Sequence, residues 1–233
     1  MSAPSAPADP ATQAVSVAHI QAIDRTAIEQ YGIPRLLLME HAGLAIAQAA
    51  QTLQPRVDAP LAICCGPGFN GGDGFAAARH LHEWGYPIML IATTPREKLR
   101  DEPQQFAHML HQLGLEMHLV RAVEDARRVL PRLRQRRLLI DALLGVGAQG
   151  TVREPIASLI QTMNESQVPI LAADIPSGLD ADTGAVQGIA VRATQTVTFG
   201  RPKRGMFMAQ GPAHTGTVLV APITIPKKVL QST

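Results

Sequence analysis

The chain has 233 residues, 46% hydrophobic and 17% charged, a balance that suits one large globular α/β domain and excludes a disordered or collagen-like polymer. Lys and Arg number 21 against 19 Asp and Glu, and a net charge of +2 is too small to argue for nucleic-acid binding by itself. No apolar run reaches the roughly 18 residues of a membrane helix, and the two cysteines, Cys64 and Cys65, are chain neighbours that point to opposite faces of a strand, which excludes a disulfide scaffold and fits a reducing cytoplasm.

Residues 1–14 are rich in Ala, Pro and Ser, have neither the basic nor the apolar region of a signal peptide, and read as a disordered tail before a single domain over 15–233. Ser16 is placed as an N-cap, followed by Ile20, Ile23, Ala27, Ile28 and Tyr31 at helical spacing and stopped by Gly32. Pro34 opens a second helix over 36–50. Short apolar runs then alternate with amphipathic stretches. The runs are 61–65, 87–92, 115–120, 138–142 and 170–173; the stretches between them are 73–84, 102–113, 125–136 and 154–165. Strict alternation predicts βαβ units and a mainly parallel central sheet in an α/β fold. Pro131 is expected to kink or shorten its helix, and 194–199 and 217–220 read as two later strands.

Ligands of open parallel sheets bind beyond the carboxyl ends of the strands, and three such ends carry unusual residues. The first is Gly66-Pro67-Gly68-Phe69-Asn70-Gly71-Gly72-Asp73-Gly74, read as a glycine-rich turn ahead of a helix N-terminus that favours anions. It matches G-x-G-x-x-G, but the next strand ends in Ala92-Thr93-Thr94 without the acid of a dinucleotide fingerprint, and no P-loop lysine follows. The second runs from Asp141 through Gly145, Gly147 and Gly150 to Thr151. A carboxylate at a buried strand end needs a partner or a cation. The third is Asp174-Ile175-Pro176-Ser177-Gly178, continuing to Asp180-Ala181-Asp182-Thr183-Gly184, which reads as a polar turn rather than a calcium loop. Asn70, Asp141, Asp174 and Ser177 therefore share one edge, and oxygen donors without His or Cys suit a hard cation or sugar hydroxyls.

These strings, N-G-G-D-G, D-A-L-L-G-x-G and D-I-P-S-G-L-D-A-D-T-G in that order, resemble the YjeF N-terminal domain family, the NAD(P)H-hydrate epimerases. Met39-Glu40-x-Ala42-Gly43 and Phe199-Gly200-x-Pro202-Lys203 extend the resemblance to residues 17–221. It implies a Rossmann-like three-layer α/β sandwich and interconversion of the R and S forms of hydrated NADH and NADPH (NADHX and NADPHX) in nicotinamide nucleotide repair, often by a homodimer. It implies a potassium ion at Asn70, Asp141 and Ser177. Substrate would lie against Asn70, Gly71, Gly72, Asp73, Gly145, Val146, Gly147, Ala148, Gln149, Gly150, Thr151 and Asp174. With the chain ending at Thr233, the ATP- or ADP-dependent NAD(P)HX dehydratase is expected as a separate protein. On the residues themselves, glycine-rich helix starts would receive a pyrophosphate, and Asp174 would be the catalytic carboxylate that stabilises a cationic ring or shuttles a proton.

Two residues depart from the family pattern, Phe69 and His41, each where an Asn is usual. The alternative reading is a non-catalytic nucleotide- or RNA-binding scaffold of the same fold; retention of all four polar strand-end residues favours the enzyme. His108 and His111 lack a third ligand, and the arginines between Arg121 and Arg137 lack interleaved aromatics, so both sets read as solvated faces. Lys203 and Arg204 are expected either to meet a phosphate or to form salt bridges.

Overall fold

Ser16 caps the first long helix: its Oγ accepts the His19 amide at 3.3 Å, satisfying one of the N–H groups a helix start leaves over. Helix α1 (Val17–Glu29) turns Ile20, Ile23 and Ala27 inward and ends ahead of Gly32, whose φ of +66° suits glycine. Tyr31 falls beyond the helix and is exposed, so it does not join the apolar stripe. The computed structural model describes residues 9–231. Residues 1–8 of the expected disordered tail lie outside them, while Pro10–Gln13 forms one turn of 3-10 helix capped by Asp9.

Helix α2 (Arg35–Leu53) follows Pro34 directly. Then come β1 (Leu61–Cys65), α3 (Phe69–Glu83), β2 (Ile88–Ala92), α4 (Asp101–Gln112), β3 (Met117–Leu119), α5 (Val123–Leu133), β4 (Leu138–Ala142), α6 (Ile156–Glu165) and β5 (Ile170–Ala173). The chain finishes with β6 (Gln195–Phe199), α7 (Gly211–Thr215), β7 (Thr217–Ala221) and α8 (Lys227–Gln231). Pro131 sits in the last turn of α5, which ends at Leu133, as a missing N–H and a crowded ring dictate.

All neighbouring strands pair in parallel, in the order β3-β2-β1-β4-β5-β6-β7. Buried strands alternate their side chains between two cores. Leu61, Ile63 and Cys65 of β1 face α1, α2, α3 and α4; Ala62 and Cys64 face α5 and α6. The cysteines are free and buried, and burial pushes both thiols far up from their ordinary range. Close crossing of α2 and α3 depends on Gly43, where a Cβ would stand 2.3 Å from Cβ of Ala76.

Candidate functional site at the strand ends

The strand order turns back between β1 and β4, which opens the crevice where doubly wound sheets hold ligands. The two chain exits touch: a Cβ on Gly66 would lie 1.8 Å from the Leu143 carbonyl oxygen. Helix α3 begins at Phe69, four residues before the expected start at Asp73, so the glycine run is helix rather than loop. The reason is packing. A Cβ on Gly71 would meet the Gly66 carbonyl oxygen at 2.0 Å, one on Gly72 the Met39 side chain at 2.6 Å, and one on Gly74 the Ala142 methyl at 2.6 Å. Glycine's poor helix propensity is outweighed because only glycine lets α3 lie directly on the β1–β4 exits.

That descent brings Asn70 to the other two strand ends. Asp141, wholly buried at the end of β4, accepts Ser177 N at 2.8 Å on Oδ2, and Ser177 Oγ at 2.6 Å and Leu143 N at 3.2 Å on Oδ1. Ser177 Oγ in turn accepts Leu144 N at 2.8 Å, and Asn70 Nδ2 donates to Leu144 O at 3.0 Å. Burial raises the Asp141 carboxyl to about 6, against the hydrogen bonds that oppose it. Asn70 Oδ1 is buried and accepts no hydrogen bond among the described residues, an acceptor that calls for a cation or a water. Three residues distant in sequence thus form one oxygen-lined cradle.

Asp174, just past β5, adopts φ +65°, a left-handed conformation that Asp tolerates better than most residues. Its amide donates to Val197 O at 2.7 Å. Its Oδ1 accepts from Lys203 Nζ, from Thr198 Oγ1 at 3.3 Å and from Phe199 N at 3.3 Å. Lys203, 1% exposed, also donates to Thr198 Oγ1 at 2.8 Å. The salt-bridge expectation for Lys203 therefore holds, with the partner being the acid singled out as catalytic. Two further acids face this pair. Asp24 on α1 is raised to about 6, by burial first and then by the charge of Asp174, against Lys203 and Arg35. Asp73, half-buried on α3, is raised well above the usual carboxylate range, again by burial first and then by Asp174 and Asp24.

The 180–184 turn is polar, as expected: Asp180 Oδ1 accepts the amides of Asp182 and Thr183 and the Thr183 hydroxyl at 2.8–3.1 Å. It seats the Lys203 segment, since a Cβ on Gly205 would lie 2.2 Å from the Asp180 carbonyl oxygen. Phe69 is 48% exposed, with the Arg35 guanidinium 4.8 Å above its ring. In the 145–151 loop, Gly145 packs on Asn70 and Thr151 touches Gly188, while Gly147, Gln149 and Gly150 are exposed. His108, His111 and the arginines of α5 lie on solvated faces. Asp24 and Thr198 escape sequence reasoning: Asp24 is one of several polar residues on an amphipathic helix and Thr198 one of two threonines in its strand, and only the tertiary fold sets them against Asp174.

With its polar groups gathered where the strand order reverses, the molecule is of the Rossmann-like α/β class, which uses this crevice for ligands. The profile described as "YjeF-related protein N-terminus" matches residues 35–205, and the chain belongs to that family. It is 40% identical over 220 residues to the bifunctional NAD(P)H-hydrate repair enzyme Nnr of Salinibacter ruber, covering 91% of this chain and 40% of that protein. It is 37% identical over 209 residues to an NAD(P)H-hydrate epimerase of Limosilactobacillus fermentum, covering 90% and 96%. The crystal structure of yeast ynu0, YNL200c, superposes with a TM-score of 0.80 at 26% identity, covering 93% and 91%. The chain spans about two fifths of the length of the bifunctional relatives.

Proposed function

We propose that the protein is an NAD(P)H-hydrate epimerase, interconverting R and S hydrates of NADH and NADPH. The observation that carries this reading is a carboxylate, Asp174, held beside a buried oxygen cradle at the switch point of a chain whose epimerase relative matches along nearly its whole length. The helix α3 start and the 145–151 loop are suited to the pyrophosphate and ribose. In the reaction, the ring hydroxyl leaves with a proton as water, the ring nitrogen supplies electrons and becomes cationic, and water returns to the other face with loss of a proton. Asp174 Oδ2, which accepts no hydrogen bond among the described residues, stabilises that cation and exchanges the proton.

Potassium fits the cradle. Its acceptors are one carboxylate and neutral oxygens, a low ligand charge that favours a monovalent ion, and Asn70 Oδ1 is a buried acceptor without a donor among the described residues. Asn70, Asp141 and Ser177 would hold it. The ion would supply fixed positive charge beside an anionic substrate. No described helix is long and apolar enough to cross a membrane. On this proposal the protein is a cytoplasmic homodimer that works with a separate ATP- or ADP-dependent NAD(P)HX dehydratase. The test supplies purified protein with the R hydrate and an S-specific dehydratase. Faster consumption of R than the spontaneous rate is expected; an unchanged rate overturns the reading.

A further inference from the structure

We propose that Lys203 is a positioning residue for Asp174: it pins Oδ1 so that Oδ2 alone is offered to the substrate. The inference rests on the epimerase reading for its consequence, but its geometry stands apart from it.

The carboxylate is held on one side only. Lys203 Nζ, Thr198 Oγ1 and Phe199 N all converge on Oδ1, and Oδ2 takes none of the described donors. Asp174 retains 14% side-chain exposure, while Lys203 retains 1% and Thr198 none, so the acid reaches the crevice and its holders do not. A buried ammonium is costly to place unless it is paired and its protons are used, and here Asp174 and Thr198 take two of them.

The chain goes to some length to put that ammonium there. Val15 pairs alongside Lys203, its amide donating to Pro202 O at 2.9 Å and its carbonyl accepting Arg204 N at 3.0 Å. Val17 N donates to Asp182 Oδ1 at 2.8 Å, tying the same N-terminal segment to the 180–184 turn. Gly205 then rests on the Asp180 carbonyl. Segments before α1, after β5 and after β6 thus clamp one lysine.

Its charge has a second use. The charge of Asp174 disfavours ionisation of Asp24 and Asp73, and Lys203 is a cation that favours it at both. The other cation acting on Asp24 is Arg35, which stacks on Phe69. Without Lys203 this end of the crevice would hold three acids and, among the described residues, no buried cation.

The test compares Lys203→Met, Lys203→Arg, Asp174→Asn and the Lys203→Met/Asp174→Asn pair in the R-hydrate assay. Expected for Lys203→Met is a 10- to 100-fold loss of kcat with KM changed less than threefold, partial recovery in Lys203→Arg, and a double variant no slower than Asp174→Asn. A folded Lys203→Met with parental kcat, or additive losses in the double variant, overturns the proposal. If Lys203→Met does not fold, Thr198→Val serves. It removes one bond from each partner while keeping the volume, and should cost 3- to 10-fold in kcat; parental turnover overturns the proposal. An activity-free measurement separates this from failure of the epimerase reading. Amide hydrogen exchange at Phe199 should speed at least tenfold in Lys203→Met, or in Thr198→Val should that stand in, with Val197 unchanged; equal protection of Phe199 counts against positioning even if the parent proves no epimerase.

Discussion

Asp174 joins a left-handed backbone to a carboxylate gripped at one oxygen, and both halves matter to what a substitution does. Asn accepts the same φ, so Asp174→Asn keeps the turn, yet it leaves the buried Lys203 without its counter-charge. We expect a loss of roughly 10²–10⁴ in turnover from the missing acid–base group. Stability should fall by about 2–3 kcal/mol, below the usual cost of a broken buried pair because the amide oxygen still accepts. Turnover at saturation near the parental value would remove Asp174 from the chemistry and leave it a binding role. Asp24 offers the opposite sign. Its carboxyl sits at about 6 in the folded chain against 3.8 ordinarily, so the native state binds that proton more tightly than the unfolded chain does. Its contribution to stability is present below the unfolded value and is lost as pH rises through about 6. Asp24→Asn keeps the neutral form at every pH. Urea unfolding should find it level with the parent at pH 4 and more stable by about 1 kcal/mol at pH 8, a figure reduced for partial exposure. Equal stability at pH 8 would show that the charge of Asp24 costs the fold nothing.

Helix α3 is where packing overrides local preference. Its first turns contain Gly71, Gly72 and Gly74, which in an isolated peptide would oppose a helix, and the run therefore reads from sequence as a loop. The close approach that makes glycine obligatory involves the exits of β1 and β4, and only the assembled sheet shows it. Strands β1, β4 and β5 are readable to the residue because each is an apolar run buried on both faces. The edge strand β3 shrinks from the expected 115–120 to Met117–Leu119, because pairing on one side alone supports less of it. The same logic divides the site. Asn70, Asp141 and Ser177 are legible as polar residues at or just beyond the ends of apolar strands, whereas the bond between Lys203 and Asp174 joins two turns that no local pattern links. For the glycines the consequence is measurable. Gly71→Ala drives a methyl onto the Gly66 carbonyl, which is backbone and cannot rotate away, and should cost about 3 kcal/mol or more in urea unfolding. Gly147→Ala meets nothing within 4 Å and should stay within about 0.5 kcal/mol of the parent. A tolerated Gly71→Ala would mean that α3 can lift from the sheet.

At the scale of the whole molecule, three distant stretches meet at the cradle, so any ion held there ties together the β1, β4 and β5 exits. A ligand that binds only the folded form adds RT ln(1 + [L]/Kd) to stability. Thermal unfolding in potassium chloride should therefore lie several degrees above that in choline chloride at equal ionic strength, and Asn70→Ala should abolish the difference. No difference in the parent would argue for water at Asn70 Oδ1 instead of a cation. The two buried thiols allow a related question to be asked without any substitution in the chain. Cys64 and Cys65 are chain neighbours, yet one lies in the core under α5 and α6 and the other in the core under α2 and α3. They are a built-in pair of clocks, one for each side of the sheet. A thiol reagent should find neither in the native protein, because deprotonation is suppressed and access closed. As denaturant rises, identical labelling rates at the two sulfurs would mean that both helical layers leave the sheet in one event. A faster Cys65 would mean that the layer carrying Asn70 opens first, exposing the strand exits while the opposite face of the sheet is still covered.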